Sequence, residues 1–274
     1  CCILLSGCGI SGTVGQNSSK VSDEKDTRPL VVTTIFPYYD FVRQIAGNRV
    51  RLKMVVPAGM DSHSFEPTPA DMITMQQADL MVCNGGEMEQ WVEKVVASLD
   101  TENMKVLTMM DYVDVLEEEI VEGMEDSGDD HGHDHAHHDE EDGDHADHDH
   151  DTEDHDHADD DHAYEIEYDE HIWTSPVNAM KITQVIADTL EEMDPADAAV
   201  FRANEADYLG KLKNLDQEIR DVVDGADLDL IVMADKFPLR YFADTYGLRY
   251  RAAFSGCSSD TEPSAKTIAY LIDK

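Results

Sequence analysis

Between Glu125 and Glu170 the chain carries 23 acidic residues and no lysine or arginine, and eleven of its 13 histidines fall in the same stretch. A segment so poor in apolar side chains has nothing to offset the entropy of ordering itself. It predicts an unpacked insertion, so any fold must be built from the sequence on either side of it. The formal charge of the 274 residues is −40, but outside this stretch 37 acids face 20 bases. With 41% hydrophobic residues, the flanks are an acidic globular chain with material for packed cores. No basic footprint is available to neutralise phosphates, which excludes nucleic acid as a partner. No run of 18 apolar residues exists, so no spanning helix is expected.

The N-terminal flank alternates short apolar runs with helical patterns. LVVTTI (30–35), VRLKMVV (50–56), DLMVCN (79–84) and KVLTM (105–109) read as strands buried on both faces. Between them, 37–46 reads as a helix stopped by Gly47, a second helix starts at Thr68-Pro69 with threonine as N-cap, and a third covers 87–98. Strands alternating with helices predict an α/β fold with a parallel sheet, whose ligands bind beyond the C-terminal strand ends.

After the acidic tract, Ser175-Pro176 is a cap-plus-proline start, and Ile182, Val185, Ile186, Leu190 and Met193 share one helical face. Asp194-Pro195 reads as a second cap and restart. Phe201, Tyr208, Leu212, Leu215, Ile219 and Val222 then recur at 3/4 spacing up to Gly225. That helix, on the order of 40 Å long, could join two β/α lobes. LIVMA (230–234), a helix near 239–246, LRYRAAF (248–254) and a helix from about Pro263 begin a second lobe. Two strands and two helices are too few to bury a sheet on both faces, so the sequence reads as truncated at both ends, with the second lobe partial. The expected organisation is a tether over 1–29, a first lobe over 30–123, the His-rich loop over 124–163, a ligand loop and linking helix over 164–225, and the partial second lobe over 226–274.

The opening CCILLSGCGISG, followed by a Gly/Ser/Asn-rich stretch, resembles the end of a bacterial lipoprotein signal. The resemblance implies cleavage before Cys8, removing Cys1 and Cys2, and a lipid anchor on Cys8. Cys83 reads as a core thiol and Cys257 as a loop thiol; spacing alone does not argue for a disulfide between them.

The tract histidines are His131, His133, His135, His137, His138, His145, His148, His150, His155, His157 and His162. Imidazole interleaved with carboxylate suits divalent first-row metals, so the tract reads as an auxiliary metal-capture loop without one fixed geometry. A merely solvating loop would explain the acids but not the histidines. The other two are His63, in PAGMDSHSFEPTPADM, and His171, in YDEHIWTSPVNA. Both stand in turns that lead into helices, where side chains from separate segments can converge on a metal. Taken singly, each could equally be a hydrogen-bonded loop histidine.

GMDSHSFEPTPADM, ADLMVCNGGEMEQWV, an acidic His-rich insertion and DEHIWTSPVNA together resemble the cluster-9 solute-binding lipoproteins of bacterial zinc and manganese ABC importers, from about Leu30 to the end of the chain. The resemblance implies two β/α lobes bridged by one backbone helix, with one divalent ion between them and His63 and His171 as ligands. The His-rich insertion points to the zinc branch, with Mn2+ as the alternative to Zn2+. It also implies a monomer that serves an ABC permease and ATPase and is anchored to the membrane by lipid. A third ligand, His or Glu, normally ends the first strand of the second lobe. Here VMADKFPLRYF places Ala234-Asp235 there. Asp235 is the nearest carboxylate, with helix N-capping as its competing reading, and Glu262 is a second candidate. The last ligand region would lie beyond Lys274. Metal buffering or storage by the tract and a metal-dependent adhesin stand as alternatives. No HExxH, no G-x-S-x-G and no clustered general base argues for an enzyme.

Overall fold

The computed structural model describes residues 26–124, 167–258 and 262–274. The tract histidines, Cys8 and residues 1–25 of the expected tether lie outside them. Four parallel strands form the first sheet: β1 (Leu30–Thr33), β2 (Arg51–Met54), β3 (Leu80–Cys83) and β4 (Lys105–Thr108), in the order β2-β1-β3-β4. The central strands β1 and β3 are buried along their whole length. Edge strands β2 and β4 are not buried on both faces as expected, because each has a neighbour on one side only. Helices α1 (Phe36–Ala46), α2 (Pro69–Gln76) and α3 (Gln90–Ser98) connect the strands.

The continuous helix expected over 87–98 is instead a 3-10 turn at Glu87–Glu89 followed by α3. It breaks at Glu89, whose carboxylate turns back to accept hydrogen bonds from the Asn84 and Gly85 amides. At α2 the expected cap forms a complete box. Thr68 Oγ1 accepts from the Asp71 amide, and Asp71 Oδ2 accepts from the Thr68 amide at 2.8 Å.

Helix α4 (Pro176–Met193) buries Ile182, Ile186 and Leu190 against the first sheet's core, with Ser175 as its N-cap. Asp194 does not cap the next helix. Its carboxylate holds a turn by accepting from the Ala196 and Asp197 amides, and α5 (Ala198–Asp224) starts with Asp197 at the N-cap position. The 27-residue α5 touches both ends of the molecule. Asn204 donates to the Ile45 carbonyl of α1, and Asp216 accepts from Tyr246 of α6 (Arg240–Tyr246) at 3.0 Å. Its cover thins towards the C-terminal end: Phe201 is fully buried, whereas Leu215 is 45% and Val222 71% exposed.

The second sheet has two parallel strands, β5 (Leu230–Phe237) and β6 (Arg249–Ser255), followed by α7 (Ala265–Asp273). β5 runs three residues further than the apolar run LIVMA, through a register irregularity between Met233 and Lys236. Asp235 therefore lies in a strand rather than at a helix N-cap. Among the described residues no helix is long and apolar enough to cross a membrane.

The capping box also anchors the loop between β2 and α2, which carries His63. Replacing Thr68 by alanine should cost about 1 kcal/mol of stability. Urea denaturation should show this as a lower midpoint at unchanged slope.

Candidate metal centre

Parallel strands end together, so the loops after β1, β2 and β3 gather at one end of the first sheet. His63 is in the β2–α2 loop. Its amide donates to Asp61 Oδ1 at 3.0 Å, a local turn that fixes the backbone, and Phe65 pins the loop by packing edge-on to Trp91 at 5.0 Å. Partial burial pushes the His63 pKa below the ordinary imidazole value, opposed by Asp61 and reinforced by the charges of His171 and Lys236. The neutral form, the one that binds metal, is thereby favoured.

His171 precedes α4, and its side chain is 15% exposed. The buried Asp169 carboxylate controls it twice: Oδ1 accepts from the His171 amide at 2.8 Å and lies 3.2 Å from Nδ1. A carboxylate on one ring nitrogen fixes the tautomer and ring plane of a ligating histidine. With the proton on Nδ1, Nε2 is the nitrogen left for metal. Trp173 flanks the ring at 5.6 Å. Gly256, just after β6, closes in from the other side. A Cβ there would stand 2.8 Å from Asp169 Oδ2 and 3.2 Å from His171 Nδ1, so no side chain fits without moving one of them.

His63 and His171 both line one cavity of about 460 Å³, between the loop ends of the first sheet and residues Lys236, Pro238 and Gly256 of the second. His63 also forms a wall of a neighbouring cavity of about 210 Å³, with Glu87, Glu118, Glu167, Glu170 and Cys257. The chain segments that flank the acidic tract pair beside it, through a bridge between Glu117 and Tyr168. Asp235 and Glu262 line neither cavity. Asp235 is exposed, and its carboxylate accepts from the Lys236 amide at 2.8 Å. Among the described residues, no three His, Cys, Asp or Glu side chains come together closely enough to hold a metal. Cys83 and Cys257 remain free thiols.

Behind His171 lies a buried polar network. Asn84, after β3, accepts from the Tyr38 hydroxyl and donates to the Glu170 carbonyl at 3.0 Å. Glu170 Oε2 accepts from the Met88 amide at 2.7 Å, which ties the His171 loop to the β3 loop at a second point. Asp169, Asn84, Lys236 and Gly256 escaped sequence reasoning. The acid two positions before His171 was the one readable signal; the other three act through tertiary contacts.

Burial pushes the Glu89 carboxyl up to about 7, despite the two amides it accepts from. Burial of this kind favours the protonated carboxyl, against the hydrogen bonds from Thr34 and the two amides. Between its ordinary value near 4.5 and about 7, the folded chain then binds more protons than the unfolded one. Stability should therefore fall as pH rises through this window. Glu170 is pushed the same way by burial, also to about 7. A Glu89→Gln variant should show a shallower decline between pH 4.5 and pH 7 in denaturation midpoints, and an unchanged slope would refute the assignment.

A family model described as ZnuA, zinc-uptake complex component A, periplasmic, matches residues 31–274. The zinc-binding lipoprotein AdcA of Streptococcus pneumoniae is 33% identical over 251 residues, covering 91% of this chain but 43% of AdcA. This chain thus spans less than half the length of that relative. The high-affinity zinc uptake system protein ZnuA of Bacillus subtilis is 30% identical over 272 residues, covering 99% of this chain and 73% of that protein. The crystal structure of the Zn(II)-bound ZnuA-like domain of S. pneumoniae AdcA superposes with a TM-score of 0.63 at 27% identity, over 90% of this chain and 74% of that one. A mixed α/β fold with parallel sheets and a family match across nearly the whole described chain lead to one assignment: the chain belongs to the ZnuA family of zinc-uptake component A proteins.

Proposed function

We propose that this chain is an extracytoplasmic zinc-binding protein that delivers its ion to the permease and ATPase of an ABC importer, anchored to the membrane through lipid on Cys8. The observation that carries the reading is the convergence of His63 and His171, from loops more than 100 residues apart, on one cavity between the two sheets. A two-lobed organisation, with α5 as the connecting element, would let the cleft open and close around the ion. Zinc is borderline-soft and favours imidazole; His63, whose neutral form burial favours, and the oriented His171 are suited to it. Asp169, Tyr241 and Gly256 serve to hold His171. No group in the cavity is arranged for bond-breaking chemistry, so the reading is binding and transfer of an ion rather than catalysis.

Replacing either His63 or His171 by alanine should weaken the tightest zinc equivalent by at least ~10-fold, the scale lost even when an outer partner of a ligand is removed. Competition against a chromophoric chelator reads this directly. A double variant that kept its tightest affinity would overturn the assignment.

The acidic His-rich tract, outside the described residues, is proposed to capture zinc for the core site. Ligands tethered on a loop whose flanking segments pair at Glu117 and Tyr168 act at an effective concentration around the millimolar range. Deleting residues 125–162 should remove several weak zinc equivalents and leave one tight equivalent within a few-fold of its original affinity. If isothermal titration finds the tight equivalent gone as well, the tract supplies ligands to the core site, and buffering becomes the better reading.

A further inference from the structure

The segment Leu116–Met124 follows the first sheet in sequence but packs on the second. Val121 and Met124 join the apolar cluster of Phe237, Ala243, Tyr250 and Ala252. Gly123, at φ +93°, passes so close to the Tyr270 ring of α7 that a Cβ would run into it. The other edge of the segment is held by main-chain bonds. The Glu118 amide donates to the Glu167 carbonyl, and the Asp169 amide donates to the Leu116 carbonyl, both at 2.9 Å. The segment is thus a strap, gripped by the His171 loop on one side and by the second sheet on the other.

Three acids of the strap reach the second sheet. Glu119 Oε2 lies 3.3 Å from an Arg240 guanidinium nitrogen and accepts from the Tyr250 hydroxyl at 3.2 Å, and Glu122 lies 3.5 Å from Arg251. These two side chains are 49% and 69% exposed, and ion pairs at such sites contribute little. Glu118 is different. Its Oε1 accepts from the Cys257 amide at 2.8 Å, a part-buried bond to a charged acceptor. Cys257 directly follows Gly256, which stands against the Asp169 carboxylate and the Nδ1 edge of the His171 ring. Glu118 therefore fixes the chain after β6 where the second sheet meets a metal-site histidine.

We propose that Glu118 is a positioning residue for zinc: by holding the Cys257 amide it seats Gly256 against His171 and confines the imidazole in its metal-binding orientation. The proposal rests on the zinc-binding reading and deepens it by naming the side chain through which the second sheet acts on His171. Glu118 does not touch the ion. Asp169 orients the ring by hydrogen bonding, and Gly256 restricts it by contact. A ligand already held in its bound orientation loses less freedom on binding, and such a gain appears mainly as slower release. A carboxylate acting on the ion only through its charge behaves otherwise, because it speeds association and does so less as salt is raised.

Stopped-flow kinetics on the full chain separate the two effects. The chain is loaded with less than one equivalent of zinc, and release into excess chromophoric chelator is followed. Glu118→Ala should speed release by about tenfold, the scale lost with an outer partner of a ligand, and change association by no more than about threefold. Glu118→Gln keeps an oxygen that can accept from the Cys257 amide and removes the charge, so it should bring release back to within about threefold of the unmodified chain. Glu122→Ala, on the same strap, should leave release within about threefold, as expected for an exposed pair. Release unchanged by Glu118→Ala would overturn the proposal and leave the zinc reading standing. Release as fast in Glu118→Gln as in Glu118→Ala, or slowed association at unchanged release, would assign the effect to charge and overturn it too. Equal acceleration by Glu122→Ala would assign it to general loosening of the strap, which is equally fatal. An unmodified chain that holds no zinc tightly would overturn both readings together.

Discussion

The Tyr241 hydroxyl is a joint on which the rest of the cleft depends. It donates to the Asp169 carbonyl at 2.7 Å and accepts from the Leu116 amide at 3.0 Å. Residue 116 follows the first sheet, residue 169 precedes His171, and Tyr241 belongs to α6, so one buried side chain binds three separate segments. Because the carbonyl it holds belongs to Asp169, the same contact sets the residue whose carboxylate orients His171. The segments on either side of the acidic tract are thereby brought side by side, and the bridge between Glu117 and Tyr168 completes the closure. A long insertion can then be accommodated without disturbing the site, since loop length costs little once its ends are fixed.

Much of this architecture was legible in the chain itself, and the reasons are local. β1 and β3 are short apolar runs bounded by turns, Thr68-Pro69 and Ser175-Pro176 announce helix starts, and the α4 stripe has one clear period. His63 and His171 stood out because they lie apart from the tract, in motifs that resemble a known family. What was not legible depends on partners distant in sequence. The break at Glu89 arises because its carboxylate serves the β3 loop instead of the helix. The strand β5 continues past Ala234 through Asp235 and Lys236, where Asp235 also reads as a helix N-cap until β6 pairs with the strand. That pairing turns Asp235 out to solvent and leaves Lys236 on the cavity wall.

The electrostatics then divide the molecule in two. The acidic tract by its sequence and the 210 Å³ cavity by its lining concentrate negative charge, which attracts divalent cations from solution. The larger cavity is different: imidazole, lysine and apolar groups dominate its wall, and His63 is held towards neutrality. His63 lines both cavities.

The central claim is that His63 and His171 coordinate the tightly held zinc. Zinc-edge X-ray absorption on the chain loaded with less than one equivalent of zinc tests it without reference to affinity. The account predicts a first shell of nitrogen and oxygen near 2.0–2.1 Å with the outer-shell scattering pattern of about two imidazoles, and loss of that pattern when both histidines are replaced. An imidazole pattern that persists unchanged in the double variant, or a shell without imidazole in the unmodified chain, would contradict it.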